Sequence, residues 1–262
     1  MNVTLWDRLR TLFDFTPHLG TLDKQDDIGF MPAGSPFERM ERRAAVHGIC
    51  IHDLRQMPRK GRGEARGTRD IRTVDTLMFH QMAATINDPE RCLGIPSHGA
   101  VLRGGDIVLL HPVRSYLWHG HAANRFSIGI EIAARAAGID GDPNTFWRSK
   151  REREMGLTYD DLGAEATPVQ IEAANIMADY YTEEVARQRG QIDYVMDHRN
   201  SHKSRVSDPG SRIHKHVTLA TRKRCTLQHR DPVGSGKPNP TTWSGKPGEP
   251  YSWKVPALGG GQ

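Results

Sequence analysis

Apolar residues recur along the chain with two different periods. Over residues 3–13, Leu5, Trp6, Leu9, Leu12 and Phe13 fall at helical spacing while Asp7, Arg8 and Arg10 lie elsewhere, which predicts a short amphipathic helix. The clearest helix is TPVQIEAANIMADYYTEEVARQRG (167–190): Thr167 can cap it, Pro168 suits its first turn, Gln170 completes a capping box and Gly190 ends it. Elsewhere the apolar residues come in short, β-branched runs. AAVHGICIHDL (44–54), TVDTLMFH (73–80), FSIGIEI (126–132) and IDYVM (192–196) read as strands, the second of them buried and ending at His80. GAVLRGGDIVLLH (99–111) is two such runs around Arg103-Gly104-Gly105-Asp106, a hairpin signature.

The remaining segments lack a period. Residues 16–43 are polar and turn-rich, with Pro17, Gly20, Gly29, Pro32, Gly34 and Pro36, and read as an ordered arm or linker; 56–72 is a long basic loop. Beyond residue 221 the chain is basic and rich in Gly and Pro, with Trp243, Tyr251 and Trp253 either docking on a partner or packing back on the domain. The expected architecture is therefore an α/β (α+β) fold. A central mixed β-sheet flanked by helices spans 44–220, preceded by an N-terminal helix and arm (1–43) and followed by an irregular basic tail (221–262).

Composition narrows the partners. Only 37% of the 262 residues are hydrophobic, which agrees with segments lying outside a core, and the net charge of +5 suits an anionic polymer: nucleic acid, lipid headgroups or the acidic polymers of a cell wall. Cys50, Cys92 and Cys225 are odd in number and widely spaced, so neither a disulfide framework nor a thiolate metal cluster is indicated. No apolar run is long enough to span a bilayer, and MNVTLWDRLRTLFDF lacks the pattern of a signal peptide, so cytoplasmic synthesis without general secretion is expected. The basic runs RQMPRKGRGEARGTR (55–69) and TRKR (221–224) raise nucleic-acid binding. No reader helix or aromatic sheet signature accompanies them, and no specific nucleic acid is expected as a partner.

One loop carries unusual chemistry. In DHRNSHKSRVSDPG (197–210), His198 and Asp208 bracket a cationic turn closed by Pro209-Gly210. With thirteen histidines in the chain, either this is a basic surface turn or the pair joins His80 as ligands of a metal held from separate parts of the chain.

The ordered series TVDTLMFHQMA, IPSHGAVLRGGDIVLLHPVRSYLWH, NRFSIGIEIA and DHRNSHKSRVSDPG resembles the zinc-dependent N-acetylmuramoyl-L-alanine amidases, the family (type 2 amidases) that also contains the peptidoglycan-recognition proteins. The similarity runs from about residue 70 to 216, over half of the chain. It implies a Zn2+ ion in a surface groove, held by His80, His198 and Asp208, with peptidoglycan as partner. It also places Glu131 at the catalytic acidic position, where it would take a proton from the attacking water and pass it to the leaving amine. Trp118 and His119 match a Trp-His segment lining the substrate groove, and His119 could also polarise the scissile carbonyl or orient a neighbour. His98 and His121 are weaker candidates with no definite role.

Two positions depart from the family pattern. Where many members carry a lysine two residues before the last ligand, this chain has Val206, so Arg205, Lys203 or His202 would supply the charge for an oxyanion instead, or zinc would act alone; Lys203 also joins Trp118 and His119 as a substrate-binding candidate. Asn200 stands where an acid is frequent. The implied activity is hydrolysis of the amide between N-acetylmuramic acid and L-alanine in phage or bacterial wall lysis, the chain acting on the wall after release or as part of a virion. Its rival is a peptidoglycan-binding or virion-associated module with the same fold and little turnover. Residues 1–43 and 221–262 would supply any virion or wall contact.

Overall fold

The computed structural model describes residues 34–136, 148–162 and 165–244. The helix predicted over 3–13, and Tyr251 and Trp253, lie outside them. Seven strands form one mixed sheet in the order β1-β4-β3-β5-β2-β6-β7: β1 Ile51–Asp53, β2 Thr76–Gln81, β3 Gly99–Val101, β4 Ile107–Leu109, β5 Ser127–Ile132, β6 Tyr194–Asp197 and β7 Gln228–His229. Neighbours run parallel except β3 with β4. That antiparallel pair is the predicted hairpin, and Gly105 in its turn has φ 100°, a backbone region that a side chain would strain.

The helices are α1 Pro36–Val46, α2 Lys150–Glu154, α3 Tyr159–Leu162, α4 Pro168–Arg187, α5 Ser211–Ile213 and α6 Leu219–Arg224, the last two joined through a π-helical stretch at His214–Thr218. The predicted capping box of α4 is present: Thr167 Oγ1 accepts from the Gln170 N–H at 3.2 Å, and Gln170 Oε1 accepts from the Thr167 N–H at 3.0 Å. Ile171, Ala174, Ile176, Met177, Tyr181 and Val185 of α4 share one buried cluster with Leu77 and Phe79 of β2 and Ile128, Ile130 and Ile132 of β5. Each large aliphatic or aromatic side chain in that layer contributes about 1.5–3 kcal/mol.

Alternation then sends the intervening residues to the other face of the sheet. Direct partners across β2 and β5 are Thr76 with Ser127, Met78 with Gly129 and His80 with Glu131. Because paired residues share a face, His80 and Glu131 project together away from α4.

Two expected boundaries differ. Helix α1 runs across residue 43, and the strand expected over 44–54 shrinks to β1. Ser35 and Glu38 cap α1 reciprocally, Met40 and Ala44 bury against the core, and the chain turns only at Gly48, φ 64°. At the other end, residues 221–244 are not irregular throughout: α6 crosses residue 220, β7 adds to the sheet edge, and Trp243 is fully buried. Their order comes from distant contacts. The Gln228 N–H donates to Asp193 O at 2.9 Å, the Arg230 N–H to Val195 O at 2.9 Å, and the Arg230 guanidinium lies 4.4 Å and 4.2 Å from the rings of Phe126 and Tyr194.

Candidate metal centre and its groove

His80 sits near the end of β2, His198 opens the 3-10 turn His198–Asn200 just after β6, and Asp208 ends the loop that follows. Their donor atoms all lie within 4.8 Å of one another, and all three residues are buried. His198 Nδ1 is 2.8 Å from both His80 Nδ1 and Asp208 Oδ2. Asp208 keeps its other oxygen on the Gln81 backbone N–H at 3.0 Å, which aims Oδ2 at the histidines.

A chain of hydrogen bonds decides which nitrogen of His80 is bare. His119 Nε2 is 3.2 Å from the Ser127 carbonyl, an acceptor only, so it carries the proton there and leaves Nδ1 as an acceptor. That atom is 3.1 Å from His80 Nε2, which must therefore donate, leaving the His80 Nδ1 lone pair facing His198 and Asp208. His119 can lie this close to β5 only because residue 129 is glycine: a Cβ there would stand 2.5 Å from His119 Nδ1. His198 Nε2 is buried without a hydrogen-bond partner.

Electrostatics points the same way. Burial, with His198 alongside, keeps His80 neutral well below the usual histidine range, and burial with the Arg205 charge does the same to His198. Burial pushes the Asp208 carboxyl up to about 6, and burial plus the Asp208 charge pushes Glu131 up to about 8. Two neutral imidazoles and a carboxylate turned into one space, with a second carboxyl whose Oε1 is 3.8 Å from His80 Nδ1, form an electron-rich pocket. The donor set fits a divalent ion such as zinc, whose hydrolytic sites take three N/O ligands and leave a position open.

Beside this cluster, with His119 bonded to His80 and the His121 ring 5.5 Å from that of His198, lies a cavity of about 440 Å³ lined by Arg62, Arg66, Pro96, Trp118, His119, His121, Asn124 and Arg205. Trp118 is 61% exposed, with the Arg66 guanidinium 4.7 Å from its ring. Arg205 Nε has no hydrogen-bond partner, whereas Lys203 is exposed and is not among the lining residues. His119 lines the cavity too, but both its nitrogens are engaged behind His80. His98 lies deeper: its Nδ1 accepts from the Gly129 N–H at 3.1 Å and its Nε2 is 3.2 Å from Ser115 O. His121 stacks on His202 with ring centres 4.1 Å apart.

Sequence reasoning missed a second cluster of the same residue types, Asp197, His214 and His229. Asp197 is fully buried and accepts from Thr218 Oγ1 at 2.6 Å and from His214 Nδ1 at 2.5 Å. Burial opposes its ionisation, but His214, His229 and Thr218 together hold its carboxyl well below the usual range. The Asp in DHRN was a visible signal; its partners, 17 and more residues on, carried none.

No family model matches the chain, and no curated protein matches it. Among solved structures, it is similar to an endolysin N-acetylmuramoyl-L-alanine amidase from Clostridium intestinale at 12% identity and TM-score 0.44, covering 68% of this chain and 95% of that one. It is also similar to the Ph2119 endolysin from a Thermus scotoductus bacteriophage, at 14% identity and TM-score 0.37, covering 61% and 91%. Bumblebee peptidoglycan recognition protein SA aligns at 12% identity and TM-score 0.41, covering 70% and 99%.

Proposed function

We propose that this chain is a zinc-dependent N-acetylmuramoyl-L-alanine amidase, which hydrolyses the amide joining N-acetylmuramic acid to the L-alanine of the peptidoglycan stem peptide. The observation that carries the reading is the convergence of His80, His198 and Asp208 on the cavity side of the sheet, beside Glu131. The ordered motif series supplies the substrate class. Zn2+, when bound, supplies Lewis acidity that polarises the scissile carbonyl and makes a water nucleophilic near neutral pH.

The residues divide the remaining work. Glu131 takes the proton of the attacking water on a carboxylate oxygen and returns it to the leaving amine nitrogen; burial and the neighbouring Asp208 charge give it the basicity for both transfers. Arg205, with an unpartnered Nε at the cavity, opposes the negative charge that develops on the carbonyl oxygen and fills the role that Val206 cannot. His119 acts through His80, holding its Nε2 proton, and not on the carbonyl itself. Trp118 offers a flat apolar face to the substrate. Action on the cell wall follows, in phage-borne or bacterial lysis.

A second reading, a peptidoglycan-binding or virion-associated module with little turnover, draws on Val206, which is 57% exposed where a lysine would serve the oxyanion. One experiment separates the two. The metal-loaded chain is incubated with purified peptidoglycan and new termini are read by mass spectrometry, with Glu131→Ala and chelated samples alongside. Free L-alanine amino ends that vanish in both controls establish the amidase; intact wall, with zinc bound and fragments retained, leaves the binding module.

A further inference from the structure

The second cluster looks at first like another cation site. Asp197 Oδ2, His214 Nδ1 and His229 Nε2 approach one another, with His229 Nε2 3.9 Å from the Asp197 oxygen. Its centre is taken, however, by the side-chain amide of Asn239. The nitrogen of that amide donates to Asp197 Oδ2 and lies 3.1 Å from His214 Nδ1 and 3.5 Å from His229 Nε2. Which end of the amide faces inward is set by Asn200, whose Nδ2 donates to Asn239 Oδ1 at 3.0 Å. Turning Asn239 over would set one NH2 against another. An inward NH2 repels a cation, so the cluster closes on a hydrogen-bond donor instead.

Three side chains thereby form a ring around the base of the metal-binding turn. Asn200 Oδ1 accepts from the Asp197 backbone N–H at 2.9 Å, Asn200 Nδ2 donates to Asn239, and Asn239 Nδ2 donates back to the Asp197 carboxylate. His198 lies between the first two members of that ring. Around it, residues 233–243 are laid along the turn: the Val233 N–H donates to Asn200 O at 2.8 Å, the Lys237 N–H to Arg199 O at 3.0 Å, and Arg199 Nε to Pro238 O at 2.9 Å. Gly236 passes so near that a Cβ would stand 1.9 Å from Asn200 O. Trp243, buried 5.8 Å from the His214 ring, pins the far end.

We infer that residues 233–243 are a strap that positions His198 as a metal ligand, with Asn239 and Asn200 as its positioning pair. This rests on the proposed metal centre. It also accounts for asparagine at position 200. A carboxylate there could still accept from the Asp197 N–H, but it could not donate to Asn239 Oδ1 or to Lys237 O, which Asn200 Nδ2 reaches at 2.9 Å. The glycine-proline segment that carries no sequence period is, on this reading, an outer support for the ligand set, and ligands lacking such support hold metal less tightly.

The test uses the full chain with zinc and cobalt(II) as probes. Affinity is read by competition with a chromophoric chelator, ligand geometry by the cobalt d–d spectrum, and stability by the metal-free melting midpoint. Asn239→Ala and Asn200→Asp should each weaken binding by roughly tenfold to a hundredfold and shift the cobalt spectrum. Ile176→Val, a core change in α4 on the opposite face of the sheet, should lower the midpoint and move neither metal readout. If Asn239→Ala does not fold, Asn200→Asp, which conserves volume, carries the comparison. Wild-type affinity and an unshifted spectrum in the folded variants would overturn the strap. So would two zinc equivalents in the unmutated chain with one lost in His229→Ala, since Asn239 would then lie inside a cation site. An unmutated chain that binds no zinc removes the proposed metal centre and the strap with it, a failure visible before any variant is made.

Discussion

His80, His198 and Asp208 on one face, and Asp197, His214 and His229 beside them, are built from the same residue types and bring their donor atoms within the same 4.8 Å. Asp197 and His198 are adjacent in the chain, yet each serves a different cluster. What separates the two is the supply of hydrogen-bond donors. Asp197 is met by a hydroxyl, an imidazole N–H and an amide NH2, so its charge is satisfied where it lies. Asp208 receives one backbone N–H on one oxygen and shares the single Nδ1 of His198 with His80 on the other, and Glu131, largely withdrawn from solvent nearby, has its carboxyl pushed up to about 8. The first arrangement locks a structure; the second is costly until a cation or proton arrives, and it lies beside a cavity lined by His119 and His121. Residue identity does not distinguish a structural cluster from a reactive one, but the balance of donors and acceptors does.

The sharpest way to break the comparison is Glu131→Gln. It removes the proton-accepting group and spares the three ligands, so zinc stoichiometry should hold while stem-peptide release falls by roughly 10²–10⁴ fold. Equal loss of metal and turnover would instead make Glu131 a ligand. Arg205→Ala comes next. With the Arg205 charge gone, kcat should drop by roughly 10²–10³ fold with little change in zinc affinity, and Val206→Lys in that background should recover part of it.

pH separates the clusters in the metal-free protein. Glu131 and Asp208 titrate at about 8 and about 6 in the fold, above their ordinary values of 4.5 and 3.8, so the fold binds their protons more tightly than the unfolded chain. Their stabilising contribution is present at low pH and is lost as pH rises through those values. Asp197, held low, has the opposite sign: its contribution is present above the ordinary carboxylate range and disappears only as pH falls through its depressed value. Buried neutral histidines, His80, His98, His119 and His198 among them, add stability as pH rises toward 6.5, so the carboxyl effect is read above that value: the metal-free melting midpoint should decline between about pH 7 and about pH 8, and both saturating zinc and Glu131→Gln should flatten the decline. A rising midpoint would contradict the assignment. The smallest effect is expected from Thr218→Val, which takes one donor from Asp197: about 1–3 kcal/mol of stability, measured by denaturant unfolding, with catalysis retained in the folded fraction.

Much of the frame was legible in the residues. Helix α4 announced its cap, first-turn proline and period, and the hairpin announced its turn; β2 and β5 read as strands from their apolar runs, while His80 and Glu131 stood out through the resemblance of the motif series. The DHRN to SDPG loop could be singled out because His198 and Asp208 lie within one short stretch. Lys203, though, shares that stretch with Arg205 and ends up off the cavity wall, because spacing along an irregular loop does not state where a side chain points.

What the sequence determined by itself was local: elements long enough to repeat a period or carry a cap, and motif residues set close together. Tertiary structure decided the rest. The pairing of β2 with β5 put His80 and Glu131 side by side, and the absent side chain at Gly129 let His119 reach behind His80 and set its bare nitrogen. Arg230 between two aromatic rings and Trp243 against His214 folded back a segment with no pattern of its own. A two-residue strand and a lone asparagine have no period to read; they are held by partners 30 to 40 residues away, and those contacts exist only once the sheet has formed.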